Sequence, residues 1–407
     1  MNVLKIGMRS IGRNKRRTLV TTLATALAGG IMIFYSSLME GLISTLERNA
    51  LSMELGEIQI HAQGYRHSPD LYNAIDSSHA IVERLEAAGY RATPRLYGFG
   101  LAAAGAASAG VHLRGYEPRQ EQTVTTLHQH VREGQWIDTS DPKGVVIGGK
   151  LKKTLRVELG DEIVILSQAS DGSMANDVYH VRGVLKTVND VTDRSAIIFD
   201  MSAFRSLMGV PNGAHEIVVT RSERRNDLRE AVKEVASMAP GEETLSWREL
   251  QPTLGRMIDS SQASSAIMLL ITYAAIAMVV LNATLMSVFE RIREFGVMKA
   301  LGVTPIQVGL IILVEVMTQA TLAVLLALAL GVPLSHYCET HGIDLTYLGA
   351  TDMSFAGIAM EPTWYARMTT SSVLMPVSVL LFMVGLAAIY PGVKAAIIQP
   401  LEAIRHH

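Results

Sequence analysis

Four stretches of this 407-residue chain are apolar for long enough to cross a hydrocarbon layer about 30 Å thick, which takes roughly 20 helical residues. They run roughly Leu19 to Met39, Ala266 to Phe289, Ile306 to Leu334 and Val373 to Tyr390. In lipid every backbone amide must bond within its own segment, so such runs fold as helices. Whatever lies between them is then a turn or a domain on one side of the membrane. A mean hydropathy of +0.25, with only 18% charged residues, agrees with a membrane class. A net charge of −2 argues against nucleic acid as a partner. Cys338 is the only cysteine, so no intramolecular disulfide framework exists.

Charge sets the expected orientation. Met1 to Arg17 carries Lys5, Arg9, Arg13, Lys15, Arg16 and Arg17 with no acidic residue, a block that stays on the cytoplasmic side. The first span then reads as a signal anchor rather than a cleaved leader, because its apolar run is too long and lacks a small-residue cleavage site. Four spans return the carboxyl terminus to the cytoplasm. Val3, Leu4, Ile6, Met8 and Ile11 alternate with the basic residues, which suits an amphipathic helix lying in the lipid interface. The expected partition is a surface helix at 1–17, spans at 18–40, 263–289, 306–334 and 373–390, an extracytoplasmic domain at 41–262, a short charged helix at 290–305, an outer loop at 335–372 and a cytoplasmic tail at 391–407. Gly29-Gly30, with Ala24, Ala26 and Ala28, predicts a close helix contact, expected toward a second chain.

The long polar region mixes two periodicities. Alternating runs predict strands at Glu57 to His61, Val111 to Arg114, Glu162 to Leu166, Tyr179 to Leu185, Ala196 to Phe199 and Glu216 to Val219. Helical patterns occupy Ser78 to Ala88, Met201 to Met208, Asp227 to Met238 and Trp247 to Ile258, the last leading unbroken into the second span. The fold class is therefore a membrane protein of four transmembrane α-helices, one before and three after a large α+β extracytoplasmic domain. Gly144-Val-Val-Ile-Gly-Gly-Lys150 mimics the start of a phosphate-binding loop, but Leu151 stands where the magnesium-binding hydroxyl belongs. A strand, turn and short helix is expected there. His128 and His130 lack a third ligand at convincing spacing, and no catalytic motif occurs, so no enzyme, metal or cofactor is assigned to this chain.

Residues 290–305 hold a charged, helix-prone run between two spans. Phe295, Met298 and Leu301 recur at helical spacing on one side, while Arg291, Glu294 and Lys299 are polar positions elsewhere. Gly302 and Pro305 supply a stop. Arg291, Glu294, Gly296, Lys299, Ala300, Leu301 and Gly302 match R-x-x-E-x-G-x-x-[KR]-A-[LI]-G, and the run resembles the FtsX-like permeases, a family that includes the MacB exporter and the LolC and LolE lipoprotein-releasing subunits. The tail is similar to that family's P-A-x-x-A-A-x-x-x-P-x-E-A-L-R ending, through Pro391, Ala395, Ala396, Pro400, Glu402, Ala403 and Arg405, with Gly392 replacing the usual Ala. Gln59 to Tyr65, Gly134-Gln-Trp136, Val145 to Gly148 and Leu159 to Glu162 also resemble its MacB-like periplasmic domain.

The resemblance implies that the segment is a coupling helix docked on a separate ATPase, with Arg291, Arg293, Glu294, Phe295, Gly296, Met298, Lys299, Ala300, Leu301 and Gly302 as the ATPase-coupling residues, and that 1–17 is the family's elbow helix. It also implies a dimer of permeases, two copies or two paralogues, with two ABC ATPase subunits that carry the ATP and magnesium. Membrane lipids, a lipoprotein or other extracytoplasmic cargo and a periplasmic carrier complete the expected partners, in a bacterial inner membrane. A MacB-type exporter, an FtsX-type regulator of cell-wall hydrolases and a transport-free sensor are the competing readings. On this reading Gly296→Asp or Glu294→Lys uncouples the ATPase without unfolding the chain. Within the spans, Glu315 lies about 14 Å inside its helix and is a functional candidate by depth alone. Gln319, one turn on, is its expected hydrogen-bond partner, and Asn282 and Thr284 are expected to bond a neighbouring helix.

Overall fold

The computed structural model describes residues 15–186, 189–221, 227–348, 353–355, 358–360 and 363–397. The surface helix expected at 1–17 lies outside these residues up to position 14, and Lys15 already belongs to the first long helix, α1 (Lys15–Ala50). The tail beyond Ile397 is likewise outside them. Two compact units are present, with cuts near Thr45 and Met257.

The α/β unit follows α1 through a π-helical turn at Leu51–Leu55. Its elements in order are β1 (Ile58–His61), α2 (Ser78–Ala87), β2 (Arg91–Ala104), β3 (Ala107–Tyr116), α3 (Pro118–Val124), β4 (Val131–Gly134), β5 (Gly144–Ile147), α4 (Gly149–Leu155) and β6 (Glu162–Gln168). They continue with β7 (Met174–Leu185), α5 (Asp190–Ser195), β8 (Ala196–Asp200), α6 (Met201–Met208), β9 (Glu216–Thr220), α7 (Leu228–Met238), β10 (Glu243–Ser246) and α8 (Trp247–Leu250). The strands pair in the order β10-β1-β9-β2-β3-β8-β5-β7-β4, and β6 pairs with both β2 and β7. The ladder therefore closes on itself through β2, β3, β8, β5, β7 and β6. One edge of β2 serves two neighbours, β9 at Arg91↔Thr220 and β6 at Leu101↔Leu166. Inside this ring lie Leu96, Val111, Leu113, Ile147, Ile163, Ile165, Tyr179 and Phe199, all buried at the alternation that a strand imposes. Phe204 of α6 packs over Gly115, where a Cβ would fall 2.7 Å from both Cβ and Cγ of Phe204.

The phosphate-loop mimic folds as β5, a turn and α4. A Cβ on Gly148 would meet the carbonyl oxygens of Thr192 and Asp193 at 2.5 and 2.4 Å, so acceptor groups fill the space beside the turn. The helix expected to run from Trp247 into the second span is broken. α8 ends at Leu250, Gln251 takes φ −125 and ψ 68, and Pro252 opens a new helix because its missing N–H is tolerated only in a first turn.

The helical unit contains α1, α9 (Pro252–Glu290), the short α10 (Ile292–Ala300), α11 (Pro305–His341) and α12 (Thr370–Ile397). Among the described residues, α1, α9, α11 and α12 are long and apolar enough to cross a membrane. Each overruns its apolar stretch, α1 by about three turns past Met39. Gly29 and Gly30 pack against α11 of the same chain, where a Cβ on Gly29 would lie 3.0 Å from that of Ala327 and one on Gly331 would lie 2.8 Å from the Gly30 carbonyl oxygen. This replaces the contact expected with a second chain, for the same reason that predicted it: small residues let helix backbones touch. Gly309 and Gly392 repeat the device between α11 and α12.

Candidate functional site

α10 is closed at its C-terminal end by its own sequence. Gly302 adopts φ +95 just past its last turn, a left-handed conformation that glycine accepts without penalty. Thr304 then caps α11: its Oγ1 accepts from the Gln307 N–H at 3.3 Å, while the Gln307 amide oxygen accepts from the Thr304 N–H at 3.1 Å, with Pro305 as first residue. The result is a nine-residue helix between two spans with no slack in either connection.

Side chains then tie α10 and its approach to three other helices. Glu290, closing α9, accepts from Arg17 Nη1 of α1 at 2.9 Å. Arg291 donates through Nη1 to Glu315 of α11 at 2.8 Å and through Nε to Glu294 at 3.3 Å. Its guanidinium also lies 5.2 Å from the Phe295 ring centre. Lys299 donates to the carbonyl of Ala396 in α12. Phe295 is buried in the same apolar cluster as Val308 and Ala395, and Gly296 is buried beside it. Burial pulls the Lys299 ammonium below its usual range.

Most of the expected coupling residues therefore face the bundle. Arg291, Glu294, Phe295, Gly296 and Lys299 make or line the inward contacts, and Met298 packs at their edge. Arg293, Ala300, Leu301 and Gly302 are exposed. So is Val297, half of whose surface is free, a residue the motif leaves unspecified. Its signal was present in the spacing, since 293, 297 and 300 share one face of a helix. Leu301, 80% exposed, parts from Phe295 and Met298, with which its spacing groups it, because the helix ends at Ala300 and the chain turns there. Gly296 is buried, so a carboxylate placed there carries a desolvation cost beside any effect on an interface.

Glu315 finds a charged partner in place of the one expected. An arginine is stronger than an amide in a low-dielectric setting, so the pair with Arg291 takes precedence, and Gln319 lines the same narrow crevice. Thr22, Thr25, Thr284 and Ser287 also line it. Thr284 donates to the Val280 carbonyl of its own helix at 2.7 Å rather than to a neighbour. Asn282 is exposed on α9.

Residues 18–238 match the family described as MacB-like periplasmic core domain, and residues 266–400 match FtsX-like permease C-terminal. An uncharacterized ABC transporter permease of Methanocaldococcus jannaschii is 25% identical over 288 residues, 68% of this chain and 65% of that one, so the chain spans slightly less than two thirds of that relative. The lipoprotein-releasing system transmembrane protein LolC of Xylella fastidiosa is 22% identical over 314 residues, 72% of each chain. Among solved structures, the periplasmic region of MacB from Actinobacillus actinomycetemcomitans aligns with TM-score 0.38 at 14% identity, over 52% of this chain and 98% of that one. The extracellular domain of the ABC-type transporter YknZ from Gram-positive bacteria aligns with TM-score 0.36 at 13% identity, over 47% and 99%.

Proposed function

The chain belongs to the FtsX-like permease family, with a MacB-like periplasmic core domain preceding the permease region, and as an ABC transporter permease of this type we propose that it serves lipoprotein release. It is the transmembrane subunit that converts ATP hydrolysis by two partner subunits into work by the α/β unit, extracting lipid-anchored proteins from a bacterial inner membrane. A second copy or paralogue completes the permease pair. Both termini and α10 lie in the cytoplasm, and the α/β unit lies in the periplasm. The likeness to LolC supports the cargo class.

The observation that carries the transmission reading is α10 itself. Ties from Glu290, Arg291 and Lys299 to α1, α11 and α12 mean that a push on α10 and the adjoining end of α9 reaches every other span. The exposed stripe of Arg293, Val297, Ala300 and Leu301 is what an ATPase would grip. Affinity purification from native membranes tests this. The wild type should bring down an ATP-binding subunit, and Leu301→Asp or Val297→Asp should lower its recovery about tenfold with thermal stability unchanged. Undiminished recovery overturns the docking assignment. In spheroplasts carrying Leu301→Asp as the only copy, lipid-anchored proteins should stay membrane-bound. Normal release with the ATPase lost overturns the cargo class.

A further inference from the structure

The exit of α1 into the α/β unit is built differently from an ordinary helix end. The chain winds into the π-turn Leu51–Leu55, a geometry that recurs at functional sites, and the Gly56 N–H closes it on the Leu51 carbonyl at 2.8 Å. Gly56 has φ +68 and ψ −177, a region essentially confined to glycine, and a Cβ there would fall 2.2 Å from Val218 Cγ1. The turn cannot slide along the sheet without breaking this fit.

Its carbonyls and its one acid are then gripped from several elements at once. The Ser52 carbonyl accepts the Thr126 N–H at 2.7 Å, and the Leu55 carbonyl accepts Gln59 Nε2 at 2.7 Å. The Glu54 carbonyl accepts Arg95 Nη1 of β2 at 2.6 Å. The Glu54 carboxylate accepts from Arg114 of β3, from Asn189 Nδ2 at 2.8 Å and from Thr192 Oγ1 of α5 at 3.0 Å. Beside this grip lies a cavity of about 590 Å³, lined by Asn49, Met53, Glu54, Arg114, Thr192 and Met257. The turn is thus held on one flank and free of packing on another.

We propose that this π-turn is the attachment through which displacement of α1 is delivered to the closed ring of strands, with Glu54 as the positioning residue. The inference rests on the transmission reading above. An apolar contact resists separation but not sliding, whereas a carboxylate bonded to three donors fixes direction as well as distance. Two of those donors belong to different elements, β3 and α5, so force on Glu54 loads the ring at two places together. A partly buried charge cluster of this kind adds little net stability and is retained for the arrangement it enforces.

Hydrogen–deuterium exchange on the complete permease–ATPase complex in lipid nanodiscs tests the assignment, comparing ATP plus vanadate with no nucleotide. The wild type should show a nucleotide-dependent change in peptides covering 107–116 and 189–200. Glu54→Ala should shrink that change about tenfold while ATP hydrolysis and protection of Ile163 and Ile165 hold. Glu54→Gln, which keeps an acceptor for Arg114, should restore part of it. Should Glu54→Ala not fold, Thr192→Val removes one donor at constant size and carries the same comparison. A full wild-type response in Glu54→Ala overturns the role of Glu54 alone. Loss of the response together with core protection also overturns it, marking Glu54 as structural. A wild type that does not respond to nucleotide overturns the transmission reading with it.

Discussion

Arg95 in the α/β unit and Arg291 at the head of α10 each bridge two carboxylates, in different surroundings. Arg95 is 1% exposed, and it meets fully buried Glu121 in a two-pronged contact at 2.6 and 3.1 Å, then Glu216 at 3.1 Å. Burial alone would lower its pKa, but Glu121 beside it holds the guanidinium well above its ordinary value. Arg291 is 15% exposed and has a single-pronged contact with Glu315, which sits on another helix. The first cluster is buried among one sheet, its covering helix and the π-turn, whose Glu54 carbonyl also accepts from Arg95. The second joins separate helices that must shift if the chain transmits work. Enclosed pairs hold a shape; a thin pair between movable rods sets how they move together.

Breaking the enclosed cluster should have the largest effect. Arg95→Ala takes the arginine from two buried carboxylates, leaving Glu121 to Thr125 Oγ1 and Glu216 to Tyr97 Oη, and should cost about 3–5 kcal/mol, read as a fall in urea midpoint for the full chain in detergent. Glu315→Gln should spare stability and reduce cargo release per ATP roughly tenfold. Arg291→Gln added to Glu315→Gln should lower it little further, because the two side chains act as a pair. If Glu315→Gln unfolds the protein as severely as Arg95→Ala, the contrast between the clusters disappears.

The smallest effect sharpens the comparison through pH. His215 stacks on Tyr65 at 5.2 Å and accepts the Tyr97 N–H at Nδ1, so Nε2 donates to the Leu71 carbonyl. Burial pushes its pKa below the ordinary histidine value. Its native state therefore resists a proton that the unfolded chain accepts. The stability it contributes is complete above about pH 6.5 and is lost as pH falls toward the folded-state value. Acid melts of wild type against His215→Gln should differ in slope below about pH 6.5 and coincide above it, whereas Glu315→Gln should leave that slope alone. Parallel slopes for wild type and His215→Gln would remove the assignment.

Legibility followed the physics of each region. The strands at Glu162, Tyr179, Ala196 and Glu216 were readable because β-branched and aromatic residues alternate there. β2 was not. Arg91 to Ala104 contains Pro94, Gly98, Gly100 and a run of alanines, all poor strand formers in isolation. Those small residues are there for close approach: a Cβ on Gly100 would stand 2.7 Å from the Leu166 carbonyl oxygen, where β6 joins the ring. Long-range pairing overrode local propensity. The stop at Leu250 was missed although Pro252 was visible, because the apolar pattern on both sides suggested one helix. In the site, the motif located α10 but could not say which way each side chain points.

Length, apolar runs and the lone basic block at the start determined by themselves that this chain crosses a membrane with one large domain between its first two spans. The lipid leaves backbone groups no other solution, so local composition suffices. The motif residues determined the family for the same reason, being contiguous. Which carboxylate meets Arg291, which strands close the ring and how Glu54 is gripped were decided by the tertiary structure. Those pairings join positions far apart along the chain, and only the packing of the whole chooses among their possible partners.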